Sequence, residues 1–444
     1  MISKWGSVRV EDIAEVRSGK RLPKGQVLIS EPTAHPYIRL VDVDNGRVQS
    51  SNLQYLSVET RASIKKYVVN TDDICLAIVG HTIGMVFYIE DQWDDVNLTE
   101  NAARITNLSS SFNPRFIYYY LTSPIGQQEI ISRKVGSAQG KLPLYNIKSL
   151  EIPNIPRIIQ DKVVGILDSL SLKYELNAET NQTLEQTAQA IFKSWFVDFD
   201  PVKAKMNGKQ PEGMDEATAS LFPEKLVESE LGLIPEGWEL KTLKSLSEKI
   251  SKGTTPSKMD LESATDEPFI RFIKVRDINE QGEILRSKLE NIPDSIHTTK
   301  LKRSILKKED ILFSIAGTIG RVAIVDQDLD NVNTNQAVAF VRLKEKQTYL
   351  PLVYMTLREN RLQQKAIASI VQGVQANLSL ANVGDMEVIV PSEDILNLWN
   401  KQYSSILQMI KNNFAQSREL ASLRDTLLPK LLSGEIDLAE TTIK

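Results

Sequence analysis

Short apolar runs rich in β-branched residues recur in both halves of the chain, separated by Gly, Asn and Asp residues. Runs of this length between turn-forming residues are typical of short β-strands. A less interrupted stretch in each half, near 113–132 and 350–370, predicts a helix beside the strands. The predicted strands lie at residues 67–69, 74–79, 85–89, 311–315, 322–325 and 338–343.

Two longer segments have helical periodicity, and each follows one of the strand-rich regions. Apolar residues there alternate in steps of four and three, which is typical of a coiled-coil seam. Pro156 and the Pro391-Ser392 pair suit the first turns of the two helices. The seam positions are Ile159, Val163, Ile166, Leu170, Leu184, Ala188, Ile191 and Trp195 in the first segment and Trp399, Tyr403, Ile406, Ile410, Leu420, Leu423 and Leu427 in the second.

We expect the two long helices to pack on each other in antiparallel orientation, because a seam of this spacing requires a partner helix. The alternative is that each helix packs on its own domain. Asn177 and Asn181 interrupt the first seam with polar side chains. Such residues can fix the register of a coiled coil at a cost in stability.

The two halves match each other in constant order at a displacement of about 235 residues, which indicates an internal duplication. Pro-Tyr-Ile-Arg at 36–39 matches Pro-Phe-Ile-Arg at 268–271, so Arg39 and Arg271 are predicted to be equivalent. The other matches are Trp5 with Trp238, Asp73-Ile74 with Asp310-Ile311, the glycine turns at 80–84 and 317–320, residues 99–102 with 334–337, and residues 137–142 with 373–378.

Composition limits the class of protein. A chain of 444 residues with 41% hydrophobic residues suits two packed domains with connections. One cysteine, Cys75, and three histidines exclude a disulfide framework and a Cys-based or His-rich metal centre. No apolar run approaches the roughly 18 residues of a membrane span, and the N-terminal residues do not resemble a signal peptide. We therefore expect a cytoplasmic protein without a membrane partner.

The net charge of −4 gives no general indication of nucleic-acid binding. Residues 201–240 hold four basic and eight acidic residues, and their charge of 4 − 8 = −4 equals the net charge of the whole chain. We expect an exposed acidic linker there. The balanced remainder contains acid-free basic stretches at 16–30, 130–150 and 298–308. Local basic surfaces of this kind are compatible with phosphate binding, although an ordinary solvated face is the alternative for each.

Catalytic patterns are absent from the sequence. The Gly136–Lys141 stretch has too few residues between its glycines for a phosphate-binding loop, and the second copy has Asn377 in place of the lysine. The only acid-x-Lys triplet, at 239–241, has no equivalent in the first half, and the methyltransferase motifs are missing. No Ser/His/Asp or Cys/His arrangement repeats. We expect a non-catalytic protein.

Three motifs resemble a known family. They are F-K-S-W-F-V-D-F-D-P-V at 192–202, L-I-P-E-G-W at 233–238 and L-L-P-K-L-L-S-G-E-I at 427–436. Together with the duplication, they are similar to the conserved regions of type I restriction-modification specificity (S) subunits, over essentially the whole chain. Gln160 matches a glutamine that often follows the proline-rich entry to the first helix, whereas W-N-K-Q at 399–402 is a poor second match.

The resemblance implies a DNA-binding subunit of a phage-defence system. Two target recognition domains would each recognise one half of a split, asymmetric site on double-stranded DNA, and an antiparallel coiled coil would set the spacer. The chain would hold no cofactor. It would bind two modification subunits, which use S-adenosylmethionine to methylate adenine N6, and restriction subunits, which use ATP and Mg²⁺. The alternative is a stand-alone DNA-binding or protein-scaffold module of a related defence or methylation system.

The predicted fold class is therefore α+β, with two repeated domains of short strands and helices, two long helices, and approximate two-fold symmetry. The predicted boundaries are 1–155 for the first target recognition domain, 156–200 for the central helix, 201–234 for the acidic linker, 235–390 for the second domain, 391–434 for the C-terminal helix and 435–444 for a tail.

Candidate site residues follow from the need for basic groups at phosphates and planar donors and acceptors at base edges. A solvated loop is the alternative for each, and structural pairing is the alternative for the two arginines at 39 and 271. The candidates for DNA contact are Lys20, Arg21, Lys24, Arg39, Ser137, Gln139 and Lys141 in the first domain and Thr254, Thr255, Lys258, Arg271, Gln375 and Asn377 in the second.

Six apolar residues are candidates for docking the modification subunits, because they cluster where the coil is predicted to end. Packing in the coiled-coil core is the alternative. The six are Phe192, Trp195, Phe196, Leu427, Leu428 and Leu431.

Overall fold

A computed structural model describes residues 5–136, 140–264, 268–368, 377–433, 435–436 and 438. The chain divides into two compact units, of which the first is assembled from two segments that are distant in sequence and the second is continuous. Unit 1 comprises residues 1–178 and 413–444, and unit 2 comprises residues 179–412.

Unit 1 contains twelve strands and five short helices among its described residues. The strands are β1 Ser7–Arg9, β2 Glu15–Ser18, β3 Pro36–Ile38, β4 Val43–Asp44, β5 Arg47–Val48, β6 Gln54–Tyr55, β7 Val68–Val69, β8 Ile74–Ala77, β9 Val86–Tyr88, β10 Val96–Leu98, β11 Ala102–Thr106 and β12 Glu151–Pro153. The short helices are α1 Val10–Ile13, α2 Val58–Ser63, α3 Pro114–Thr122, α4 Pro124–Ser132 and α5 Leu144–Lys148. Long helix α6, Arg157–Phe192, follows them.

Unit 2 repeats this plan. After a π-helical turn at Lys193–Val197 come helices α7 Asp200–Met206, α8 Glu216–Leu221, α9 Leu243–Leu246, α10 Lys258–Ser263, α11 Asp294–Thr298, α12 Lys346–Arg358, α13 Asn360–Ala368 and α14 Leu380–Gly384. The strands are β13 Leu226–Ser229, β14 Gly232–Pro235, β15 Glu239–Thr242, β16 Ser247–Lys252, β17 Phe269–Ile273, β18 Glu290–Pro293, β19 Ile311–Ser314, β20 Val322–Ile324, β21 Asn333–Thr334, β22 Val338–Leu343 and β23 Glu387–Val390. Long helix α15, Glu393–Ser433, follows strand β23.

Corresponding sheets in the two units confirm the duplication. Unit 1 has an antiparallel sheet in the order β2-β11-β8-β9, and unit 2 has one in the order β16-β22-β19-β20. A second sheet in each unit contains one parallel pair, β3 with β10 and β17 with β21. A buried ion pair crosses each antiparallel sheet, Asp73 with Arg104 at 3.0 Å and Asp310 with Arg342 at 2.6 Å.

The predicted equivalence of Arg39 and Arg271 is wrong by three residues. Ile38 pairs with Leu98 and Ile273 with Thr334 in the two parallel pairs, so the structural equivalent of Arg39 is Lys274. The backbone amides of Arg39 and Lys274 each donate to an aspartate three residues later, at 2.9 and 2.8 Å. The segment 269–274 contains Phe-Ile followed by a basic residue twice, and only the strand register distinguishes the two copies.

The two long helices pack against each other in antiparallel orientation, as the seam predicts. Within unit 1, the Asn177 side-chain amide donates to Gln416 Oε1 at 2.9 Å, while Val163 and Leu167 share a core with Leu428 and Leu431. Within unit 2, Asn181 lies against the Ile410 carbonyl, and the rings of Phe192 and Trp399 are 5.6 Å apart. Both asparagines are buried, so polar side chains interrupt the seam as expected.

The exposed linker predicted for residues 201–234 is folded instead. Helices α7 and α8 and the β13–β14 hairpin occupy it, and Val202 and Phe222 are buried in the core of unit 2. The acidic groups stay outside, with the Glu224 side chain 83% exposed. The charge of the segment concealed its few well-spaced apolar residues, which are sufficient to bind it to the core.

A candidate DNA interface at one end of each antiparallel sheet

Three strand ends meet at one end of the antiparallel sheet in unit 1. Strand β11 is antiparallel to both β2 and β8, so its start at Ala102 lies beside the ends of β2 at Ser18 and β8 at Ala77. The loops at 19–24, 78–84 and 99–101 therefore leave the sheet at the same end. We call this region the sheet-end surface of unit 1.

The first loop lies close against the turn at 99–101 because position 19 is glycine. A Cβ atom on Gly19 would overlap the Thr99 carbonyl oxygen. The Gly19 amide donates to Ala102 O at 3.0 Å and the Lys20 amide donates to Leu98 O at 2.9 Å. This backbone pairing fixes the start of the loop and leaves the side chains that follow it in solvent.

The three basic candidates of this loop are exposed. The Lys20 ammonium lies 5.3 Å from the centre of the Tyr67 ring. The Arg21 side chain, 82% exposed, forms a 3.1 Å ion pair with Glu100 of the adjoining turn. An arginine held this loosely can exchange its carboxylate partner for a phosphate at little cost.

Lys141 belongs to the same sheet-end surface. Its backbone bridges both Val79 and Val135, and the preceding carbonyl of Gly140 accepts from the Gly80 amide at 3.0 Å. The side chain is exposed. The neighbouring candidates Ser137 and Gln139 lie outside the described residues.

Unit 2 builds the same surface with different side chains. The ends of β16 at Lys252 and β19 at Ser314 lie beside the start of β22. A Cβ atom on Gly253 would overlap the Thr334 carbonyl oxygen, as at Gly19. The Gly253 amide donates to Val338 O and the Thr254 amide to Thr334 O, each at 3.1 Å.

Thr254, Thr255 and Asn377 lie on this surface, and they and Lys258 are exposed. Thr254 and Thr255 follow the glycine, and Lys258 begins helix α10 with its side chain 90% exposed and 3.5 Å from Glu262. Asn377 forms a backbone bridge with Ala316, the counterpart of the bridge between Lys141 and Val79. Gln375 lies outside the described residues.

The two remaining arginines have different environments. Arg39 makes two hydrogen bonds to the Asp42 carboxylate, from Nε at 2.9 Å and Nη2 at 2.6 Å, and a third to Gln54. Its hydrogen bond with Asp42 raises the pKa of the guanidinium further above its usual range. Arg39 therefore has a structural partner that occupies most of its donors. Arg271 is half exposed, and its guanidinium lies 3.5 Å from the Asp328 carboxylate.

Two exposed residues of the glycine turns also lie on the sheet-end surfaces, and sequence analysis missed them as candidates. His81 is in the turn Gly80–Thr82 of unit 1, and Thr318 is in the corresponding turn of unit 2. The repeat draws attention to both turns in the sequence, but the glycines are explained there by turn conformation alone. The strand pairing shows that each turn lies at the same sheet end as the candidate loops.

Five of the six predicted docking residues are buried in the cores of the two units, and the sixth packs against one of them. Phe196 packs on Trp238 and Trp399 in unit 2, with ring centres 5.7 and 5.4 Å apart. Leu428 and Leu431 belong to the core of unit 1, with Leu427 packed partly buried against it. Phe192, Trp195, Phe196, Leu428 and Leu431 are each at most 6% exposed. The interpretation as core packing therefore fits these residues, and their docking of a partner stays a prediction.

The described part of the chain offers no other obvious chemistry. No three His, Cys, Asp or Glu residues within it are grouped so that they could hold a metal ion. None of its helices combines the length and the apolar character needed to cross a lipid bilayer. Cys75 is buried, and burial raises the pKa of its thiol.

Comparison with known proteins gives one family. A family model described as "Type I restriction modification DNA specificity domain" matches residues 2–186 and 235–422. The specificity subunit of the type I restriction enzyme HindI, from Haemophilus influenzae, is 28% identical to this chain in sequence, and the match covers 90% of this chain and 94% of that subunit. The EcoBI specificity subunit of Escherichia coli is 23% identical, over 97% and 86%. The S subunit of a type I system from M. genitalium has a similar fold, with a TM-score of 0.52 and 16% identity over 97% of this chain and 96% of that one.

Proposed function

The chain belongs to the family of type I restriction-modification DNA specificity domains, and we propose that it selects the DNA sequence on which a type I restriction-modification complex acts. Each of its two repeated domains binds one half of a split, asymmetric site on double-stranded DNA. The antiparallel helix pair supports the two domains and determines the length of the unrecognised spacer. The chain contributes recognition, and catalysis belongs to its partners.

The observation that carries this proposal is the pair of sheet-end surfaces. Both have the same backbone hydrogen bonds, around Gly19 in one unit and Gly253 in the other. Their side chains differ, since Lys141 of unit 1 is replaced by Asn377 in unit 2. One backbone frame with two sets of donors and acceptors is what recognition of two different half-sites requires.

The partners follow from family membership. We infer that two modification subunits bind this chain and use S-adenosylmethionine to methylate adenine N6 in the two half-sites. Restriction subunits, with ATP and Mg²⁺, would add translocation and cleavage. The S subunits named in the comparisons belong to type I systems, which supports this assembly. A stand-alone DNA-binding or scaffold module is the alternative, and it would act without methylating DNA.

Mapping methylated adenines in the host genome, with and without this gene, tests the function. We expect one split sequence to be methylated when the gene is present and unmethylated when it is deleted. Exchanging residues 5–153 for the corresponding domain of another specificity subunit should change one half of that sequence only. An unchanged methylation map after deletion would contradict the proposal and favour the stand-alone module.

A further inference from the structure

Within unit 2, a nearly buried arginine connects the repeated domain to the long helices. Arg358 ends helix α12 and forms an ion pair with Glu185 of α6, Nη2 to Oε2 at 3.3 Å. The two side chains are 13% and 16% exposed. Since a charge removed from water is costly unless it is paired, the contact favours the one orientation that places these groups opposite each other.

The same guanidinium also binds a turn of the domain. Arg358 Nη1 donates to the Gln281 carbonyl at 3.1 Å and to the Tyr354 hydroxyl at 2.7 Å. Gly282 in that turn has φ of +84°, and a Cβ atom there would overlap the Tyr354 hydroxyl. The ring of Tyr354 in turn lies 6.3 Å from that of Tyr403 on α15. Arg358 therefore joins one domain turn to α6, and its hydrogen-bond partner Tyr354 contacts α15.

Burial raises the pKa of the Glu185 carboxyl, and the charge of Arg358 opposes that shift. A second ion pair on the other helix supports the first, because Lys411 of α15 lies 3.0 Å from Asp326. Asp326 also accepts a 2.5 Å hydrogen bond from Arg286 of the domain. Each helix of the pair is thus tied to the second domain by a directional contact.

Unit 1 has a corresponding contact built from other residues. Arg47, next to Gly46 at the tip of the β4–β5 hairpin, forms a 2.7 Å ion pair with Glu175 of α6. A Cβ atom on Gly46 would overlap the hydroxyl of Tyr118, which is the structural counterpart of the Gly282 and Tyr354 arrangement. Both units therefore orient a glycine turn with a tyrosine and connect that part of the domain to α6 through an arginine.

We propose that Arg358 with Glu185, and Arg47 with Glu175, are positioning residues that fix the orientation of each domain on its helices and so restrict the permitted spacing between the two half-sites. Apolar packing alone is non-directional and tolerates small rotations, whereas an arginine–carboxylate pair demands a defined geometry. The inference rests on the proposed function, because it assigns these pairs a role in DNA recognition.

The test selects bound sequences from a library of random DNA duplexes with the full chain assembled with its modification subunits. Wild type, Glu185→Gln and Glu175→Gln are compared. The matched control is Asp425→Asn, which removes an acid of α15 whose ion pair, with Arg424, stays within one helix. Thermal unfolding of each variant establishes that it is folded.

We expect wild type and the control to enrich two half-sites at one spacing. Each test variant should enrich the same half-sites but recover spacings one base pair longer or shorter roughly three- to tenfold more often. A single sharp spacing in both folded variants would overturn the inference while leaving the proposed function intact. Failure of wild type to enrich any split sequence would instead overturn the proposed function. If Glu185→Gln unfolds, Glu175→Gln, whose side chain is 36% exposed, decides the outcome.

Discussion

Single residues at the sheet-end surfaces divide into those that shape the loops and those that can contact DNA. Gly19 and Gly253 allow the loops to approach the backbone of the opposing turn. Lys20, Arg21 and Lys141 follow or adjoin them with exposed cationic groups. Because backbone and side-chain roles are separate, substitutions at the two kinds of residue should have different effects.

Replacing Lys141 with alanine should weaken DNA binding without affecting folding, because its side chain is exposed. Loss of one phosphate contact reduces the slope of log K against log salt concentration by about 1. Binding titrations at several salt concentrations measure both quantities. Lys173→Ala, an exposed lysine of α6, is the charge-matched control. An affinity and slope equal to those of wild type would show that Lys141 does not touch phosphate.

Gly19→Ala should displace the first loop and impair recognition of one half-site, since the new Cβ atom would overlap the Thr99 carbonyl oxygen. We expect a loss of about 1–3 kcal/mol in the free energy of unfolding. Gly165→Ala in helix α6 is the control, because open space surrounds that position. That change should stabilise the protein by about 0.5–1 kcal/mol. Equal stability of both variants in denaturant titrations would refute the close approach at Gly19.

At the scale of elements, the end of α6 is a structural part of unit 2. Phe192, Trp195 and Phe196 pack with Phe222, Trp238 and Trp399 in one core. The hydrophobic pattern identified the long helix and its seam, because a spacing of 3.5 residues is informative in a single sequence. The same pattern could not show which partner buries the aromatic residues, because an exposed docking surface and a core have the same composition.

Trp195→Ala and Phe196→Ala should each cost about 3–5 kcal/mol of unfolding free energy, the usual effect of removing a large aromatic ring from a core. Denaturant unfolding measures the loss, and Leu221→Ala, at a position 38% exposed, provides a surface control. Weakened binding of a modification subunit by variants that retain wild-type stability would restore the docking interpretation.

At the scale of the whole molecule, the net charge of −4 does not prevent DNA binding, because the basic candidates lie on local surfaces. The duplication and the helix pair agree with the sequence analysis. Nine of the ten described DNA candidates are exposed and Arg39 is half-buried, and their contact with DNA stays a prediction. The register of the repeat around Arg271 and the folding of residues 201–234 did not follow from it. Both depend on which strands pair and which apolar residues meet, and those long-range contacts leave little local signal.

The isolated chain should bind DNA with a modest dependence on salt. Lys20, Arg21, Lys24, Lys141, Lys252 and Lys258 are exposed basic residues on or beside the two sheet-end surfaces, and six phosphate contacts correspond to a slope of about −5. The complex with modification subunits should show a steeper slope, because partners supply further contacts. Equal slopes for the chain and the complex would mean that this chain makes all of the phosphate contacts.

The division of the unit 1 core between two distant segments has a consequence for synthesis on the ribosome. Leu428, Leu431, Leu432 and Leu438 complete the core of unit 1, although its other buried residues precede residue 168. At translation rates of about 5–20 residues per second, the core of the first domain stays incomplete for roughly 13–52 s until the first of these leucines is synthesised. Unit 2 closes its core at Tyr403, before unit 1 does. A nascent chain interrupted in α15 would therefore expose an unfinished apolar surface to chaperones and proteases, which would remove it before it could compete for DNA.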